Sequence, residues 1–124
     1  MWSRRPWVQI PSLAPLNFAK ATLNLTMYYT YILRSKKQPG AIYIGSTVDL
    51  EKRLLKHNAS YKDSYSKRYA PWEIETCVVF SEMYSAKKFE KYLKSSSGKA
   101  FMKKRLISDE FRKSLERFNN NRMK

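Results

Sequence analysis

Two short runs of aromatic and β-branched residues, Tyr28 to Arg34 (YYTYILR) and Ala41 to Gly45 (AIYIG), lie on either side of a Pro39-Gly40 pair. Such residues fit a pleated, partly buried surface, and Pro-Gly supplies a turn. The arrangement predicts an antiparallel hairpin with a loop longer than two residues. Asp49 and Glu51 then stand in a first helical turn, Leu50 and Leu54 fall on one face, and Ser46 or Thr47 suits the cap. A helix is expected from about Val48 to His57. Asn58 to Pro71 holds no sustained period and reads as an exposed loop. Trp72 to Phe80 returns to β character, with Ile74, Thr76, Val78 and Phe80 expected on one face. Ser85 is the expected cap of a further helix, with Ala86, Phe89 and Leu93 as its buried stripe and Ser95 to Gly98 as its break. A short basic helix over Lys99 to Leu106 follows. Ser108 or Asp109 starts a last one carrying Phe111, Leu115 and Phe118, before the polar end Asn119 to Lys124. The fold class is mixed α/β (α+β), a small three-stranded antiparallel sheet flanked by helices.

At 124 residues the chain supports one domain and one modest core. Residues 1 to 26 read as an irregular leader, because Pro6, Pro11 and Pro15 interrupt any period. Arg4 and Arg5 are not followed by an apolar run of signal-peptide type, which argues against secretion. Met27 opens the patterned part, so translation is expected to start there. Mapping the native amino terminus decides this: a mature protein starting at Met1 overturns it. Residues 27 to 106 form the expected main domain and 107 to 124 a C-terminal amphipathic helix with a polar tail.

The 25 Lys and Arg against 10 Asp and Glu leave a formal charge of +15, which draws polyanions and points first to nucleic acid. No stretch approaches the ~20 consecutive apolar residues that span a bilayer, so no membrane role is expected. Cys77 is the single cysteine, which excludes an internal disulfide and a cysteine-based zinc site and fits a reducing cytoplasm. Set in a β-like run, it reads as a small core residue. Charge by itself does not separate an enzyme from a non-catalytic binding module or a ribosome-associated protein.

More specific is an ordered set of segments. Tyr29-Thr30-Tyr31 is followed, after an eleven-residue gap, by Tyr43-Ile44-Gly45, then by DLEKRLLKH and later by SAKKFEKYLKS. In this order they resemble the GIY-YIG nuclease superfamily. Within it they are most similar to small single-domain bacterial members, related to the amino-terminal nuclease domain of an excision-repair nuclease subunit. The resemblance covers about Met27 to Leu106. It implies a metal-dependent endonuclease that hydrolyses phosphodiester bonds in nucleic acid, DNA ahead of RNA, with Mg²⁺ or Mn²⁺ as cofactor.

Carried over residue by residue, the resemblance makes Tyr31 and Tyr43 the tyrosines that contact the attacking water or the scissile phosphate. A phenol with a pKa near ~10 is a poor base at neutral pH, so nearby Lys, Arg or metal charge would have to favour its phenolate. Arg53 matches the arginine that stabilises charge on the phosphate, a task suited to a planar fork that never deprotonates. His57 lies four residues on, on the same helix face, and matches a histidine that in some members exchanges protons with the tyrosine. Glu90 matches the carboxylate that holds the divalent ion, and Mg²⁺ needs few protein ligands because it keeps several waters. Two departures stand out. Tyr29 and Thr30 replace the Gly and Ile of the first motif, and Lys94 to Lys99 contains no asparagine where many members have one.

Ser66, Lys67 and Arg68 in the expected loop and Lys99, Lys103, Lys104 and Arg105 further on form the candidate strand-tracking surfaces, which would bind backbone phosphates without reading sequence. Ser97 or Lys99 could also reach the phosphate. Tyr61, Tyr65 and Tyr69 either stack on exposed bases or pack the loop onto the core.

Overall fold

The expected hairpin is present in a computed structural model that describes residues 26–59 and 64–122. Strand β1 (Tyr28–Ser35) pairs antiparallel with β2 (Ile42–Thr47) and, on its other side, with β3 (Trp72–Phe80), giving the order β2-β1-β3. The register sets Tyr31 opposite Gly45 and Cys77, and Leu33 opposite Tyr43. Helices α1 (Leu50–Asn58) and α2 (Tyr65–Arg68) lie between β2 and β3. Helices α3 (Met83–Leu93), α4 (Ser96–Arg105) and α5 (Asp109–Arg122) follow β3. The leader expected over residues 1–26 lies, but for Thr26, outside the described residues, as do Tyr61 and Lys62.

Because side chains alternate along a strand, the central β1 feeds two cores. Ile32 packs with Leu93, Met102, Phe111 and Leu115, which brings α3, α4 and α5 onto one face. Tyr31 and Leu33 pack with Ala41 and Trp72 on the other, joined by Leu50 and Leu54 of α1 and by Tyr69. Phe118, near the end of α5, reaches round to this second cluster and meets the Tyr69 ring edge-on at 5.9 Å. Each fully buried Leu, Ile or Phe is worth about 1.5–3 kcal/mol, so a chain this small gains from burying both faces of its sheet.

Several expectations about the elements are corrected. Thr76, Val78 and Phe80 share a face, but Ile74 does not join them: Ile32 pairs with Thr76 while Leu33 pairs with Ile74, leaving Glu75 as the extra residue of a β-bulge. The bulge lets both Glu73 and Glu75 meet Arg34, at 2.6 and 3.3 Å, while Glu75 also accepts the Ser108 N–H at 2.8 Å. Helix α1 starts at Leu50, because Asp49 takes the cap by accepting the Lys52 N–H and Thr47 instead accepts the Asp49 N–H. The stretch expected as a loop holds α2, capped by Ser64.

Helix α3 starts at Met83, two residues before Ser85, with Glu82 at the cap position and no side-chain cap bond. Helix α3 ends at Leu93 before the serines, as expected, but α4 opens at Ser96 rather than Lys99, since Ser95 accepts the Gly98 N–H. Gly98 is required there because a Cβ would lie 1.7 Å from the Tyr92 carbonyl oxygen. The supposed polar end continues α5 to Arg122.

Gly40 ties the hairpin loop to α5. Its φ of +96° suits only glycine comfortably, and a Cβ would come within 2.3 Å of the Ser114 carbonyl oxygen. Gly40→Ala is expected to lower stability by about 2–4 kcal/mol through combined strain and overpacking. Thermal or urea unfolding measures this, and an unchanged midpoint would contradict the described packing of α5 on the loop.

Candidate active site

Tyr31 occupies the middle of the central strand and is 1% exposed. Its ring crosses toward β2 over Gly45, where any Cβ would stand 2.5 Å from the phenol oxygen. The absent side chain at Gly45 therefore makes room for the hydroxyl. Tyr43, on the same sheet face, lies nearly parallel, with ring centroids 6.4 Å apart and planes 15° apart. His57, in the last turn of α1, packs its ring 4.3 Å from that of Tyr43 and sets its Nε2 3.0 Å from the Tyr31 Oη. Its Nδ1 lies 2.9 Å from the Ser66 Oγ on α2. Arg53, one helical turn before His57, brings its charge close enough to the Tyr31 hydroxyl to favour the phenolate in part.

Glu90 approaches from the opposite layer. Helix α3 covers the other face of the sheet, and Glu90 reaches the edge strand by accepting the Ser46 hydroxyl at 2.6 Å on Oε1. Its Oε2 pairs with Lys94 Nζ at 2.8 Å, and Lys87, Lys91 and Lys94 line the open hollow around it, about 340 Å³. The site thus straddles β2: phenols, imidazole and guanidinium on one side, carboxylate and ammonium groups on the other.

Burial pushes the Tyr31 phenol up to about 12, with Tyr43 and Glu90 adding to the rise, and the Arg53 guanidinium only partly opposes it. Desolvation outweighs the charge of Arg53, so Tyr31 is a protonated phenol at neutral pH and the condition that nearby Lys or Arg charge favour its phenolate is not met by those side chains alone. Burial lowers the His57 pKa from its ordinary value, and the charges of Arg53 and Lys56 lower it further. The imidazole is neutral at pH 7 and can accept a proton. Burial tends to raise the Glu90 carboxyl, but hydrogen bonds from Lys94 and Ser46 and the charges of Lys94 and Lys87 overcome it, leaving Glu90 below the usual carboxylate range.

No cluster of three or more His, Cys, Asp and Glu groups stands ready for a metal among the described residues. The donor at hand is one ionised carboxylate at an open hollow. That suits Mg²⁺, which takes one or two carboxylates and fills its remaining positions with water and phosphate oxygens. Lys94 would have to leave Oε2 to admit the ion.

The catalytic-domain model of the GIY-YIG family matches residues 27–105, which include every one of these side chains. The chain belongs to the GIY-YIG family. The matched model is that of the family's catalytic domain. A UPF0213 protein of Lactococcus lactis subsp. lactis, YsiG, is 31% identical over 96 residues, covering 74% of this chain and 90% of its own length. The structure-specific endonuclease subunit slx1 of Talaromyces marneffei is 34% identical over 84 residues, 64% of this chain and 22% of that protein. Its counterpart in Schizosaccharomyces pombe is 42% identical over 69 residues, 51% and 25% of the two chains. The chain spans a quarter or less of the length of these two fungal subunits.

Of the residues singled out in the sequence, this GIY-YIG domain brings Tyr31, Tyr43, Arg53, His57 and Glu90 together. Lys67 and Arg68 are exposed on α2, next to Ser66. Lys99, Lys103, Lys104 and Arg105 lie on α4, packed on the face opposite the tyrosines, and no hydrogen bond or ion pair joins them to the site among the described residues. Ser97 sits beside Ser95 at the start of α4, 3.5 Å between hydroxyls.

Tyr69 packs with the second core cluster and meets Phe118, in keeping with its core reading, whereas Tyr65 stacks on Trp72 and meets Tyr69 edge-on while staying exposed, which leaves both readings of it open. Cys77 is a protonated thiol raised by burial to about 11, in keeping with a core residue. Sequence reasoning gave no site role to Ser46, although it directly follows the Tyr43-Ile44-Gly45 motif. Lys94, four residues after Glu90, likewise carried no site role, standing only at the start of the segment without an asparagine.

As the only histidine, His57 can be titrated by NMR without ambiguity. Its midpoint is expected below 6.5 and should rise part of the way toward it in Arg53→Met, because one lowering charge is removed while burial remains. A wild-type midpoint above 6.5 would refute the described burial.

Proposed function

We propose that this GIY-YIG endonuclease hydrolyses phosphodiester bonds in DNA with a divalent ion, Mg²⁺ or Mn²⁺, held by Glu90. The observation that carries the reading is the convergence of a buried phenol, a neutral imidazole and an arginine on one side of β2 with an ionised carboxylate at its edge. When bound, the ion supplies positive charge to the phosphate and to the departing oxygen. Arg53 holds the scissile phosphate through its non-bridging oxygens and opposes the charge that develops there. Tyr31 takes a proton from the attacking water while giving its own to His57 Nε2. The phenol never has to exist as a free phenolate, which its pKa of about 12 would make scarce. Tyr43, beside both rings, positions the water or the phosphate.

Strand binding falls to the cations that flank this centre. Lys87, Lys91 and Lys94 lie beside Glu90 and Lys67 and Arg68 beside the His57 wall, while Lys99, Lys103, Lys104 and Arg105 form a further basic surface on α4. Their contacts are to phosphates, so affinity falls steeply with salt. DNA rather than RNA follows the likeness to the excision-repair subunit, and branched DNA follows the relatives described as structure-specific endonuclease subunits. A cytoplasmic setting accords with the lone cysteine, and no helix among the described residues is long and apolar enough to cross a membrane.

The test is a nicking assay on duplex and branched DNA with Mg²⁺ or Mn²⁺. Glu90→Ala and Arg53→Ala are each expected to lose roughly 10²–10³-fold in kcat, and Tyr31→Phe roughly 10²–10⁴-fold. Equal rates for wild type and Glu90→Ala would reject the metal site. Tight binding without cleavage by the wild type would make the chain a non-catalytic binding module.

A further inference from the structure

Ser66 has no part in the hydrolysis proposed above, yet its surroundings fix it closely. Its Oγ lies 2.9 Å from His57 Nδ1, and its carbonyl oxygen accepts the Trp72 indole N–H at 2.8 Å. Trp72, 2% exposed, is held in turn: the Asn58 amide oxygen accepts its backbone N–H at 2.6 Å and the amide nitrogen donates to its carbonyl at 3.3 Å. Tyr65 stacks on the Trp72 ring, with centroids 5.9 Å apart and planes 29° apart. The serine hydroxyl is therefore placed against the imidazole by a buried tryptophan.

A neutral imidazole has one N–H, and its position decides which nitrogen can accept a proton. In the proposed hydrolysis the Tyr31 phenol gives its proton to His57 Nε2, 3.0 Å away. Nε2 must then be the accepting nitrogen and Nδ1 must carry the hydrogen. The group facing Nδ1 is the Ser66 hydroxyl, which accepts it.

We infer that Ser66 is a positioning residue whose Oγ accepts the His57 Nδ1 proton, holding the tautomer in which Nε2 can take the proton of Tyr31. The inference rests on the proposed role of Tyr31 and His57 in hydrolysis. In the step, water gives a proton to Tyr31 Oη as the phenol proton passes to Nε2. The resulting hydroxide forms a bond to phosphorus, the bond from phosphorus to the leaving oxygen breaks, and that oxygen takes a proton from solvent. His57 becomes an imidazolium with its Nδ1–H still on Ser66, and it returns the extra proton to solvent. The groups that face His57 are Arg53 and Lys56 of α1, Tyr31 of β1, Tyr43 of β2 and Ser66 of α2.

The test follows the His57 ring nitrogens by long-range ¹H–¹⁵N correlation together with kcat and KM against pH. Wild type is expected to hold its proton on Nδ1. Ser66→Ala should populate the other tautomer and lower kcat roughly tenfold, less than the ~10²–10⁴-fold that an acid–base group itself contributes, with KM little changed. Its acid limb should move to lower pH, because the imidazolium loses an acceptor. Ser66→Thr should restore tautomer, rate and pH profile. A wild-type proton on Nε2, or a Ser66→Ala protein with tautomer and rate unchanged, overturns the role of Ser66. If Ser66→Ala is unchanged while Tyr31→Phe is slow, only the serine is dismissed; Tyr31→Phe cleaving at the wild-type rate removes the relay itself.

Discussion

The burial of a phenol across a residue without a side chain organises this molecule. Tyr31 lies in the middle strand, and its hydroxyl occupies the space that a Cβ on Gly45 would fill. Two consequences follow from that one contact. The phenol is removed from water, so it keeps its proton and needs an adjacent acceptor to lose it; and His57, buried against the same ring pair, is kept neutral and able to be that acceptor. Desolvation, the larger influence on both groups, raises the phenol and lowers the imidazole, which widens the gap between donor and acceptor, so the phenol keeps its proton at rest and in the proposed step releases it only as the proton of the attacking water arrives.

Much of this was readable in the chain. Tyr28 to Arg34 and Ala41 to Gly45 declared a hairpin through their composition, and the spacing of Leu50 from Leu54 declared a helix. The order of Tyr31, Tyr43, Arg53 and Glu90 pointed to one site. What escaped the reading depended on tertiary contacts or on local hydrogen bonds that compete closely. Glu75 could not be read as a bulge, because its reason is the Arg34 guanidinium across the sheet. Ser95 to Gly98 read as a break but not also as the opening of α4, since serine and glycine favour turns as well as helix starts; that opening is made by Ser95 accepting the Gly98 N–H. The phenol pKa was hidden for a similar reason: its largest cause is the removal of Tyr31 from water, which depends on tertiary burial.

The charge of the chain also acquires structure once it is folded. Some of its cations serve the site: Arg53 sits against the phenol, and Lys94 neutralises the carboxylate that would otherwise be a partly desolvated anion. Others, such as Arg34 between Glu73 and Glu75, hold the sheet together. The remainder form the field that draws a polyanion toward the site.

The placement of the site across an edge strand carries a consequence for how such a domain can change over evolutionary time. The proton-handling residues hang from one layer and the phosphate-facing carboxylate with its lysines from the other, and Ser46 and Gly45 are the narrow seam between them. Substitutions among the lysines that surround Glu90 on α3 can therefore alter how a strand is held while leaving the aromatic cluster undisturbed.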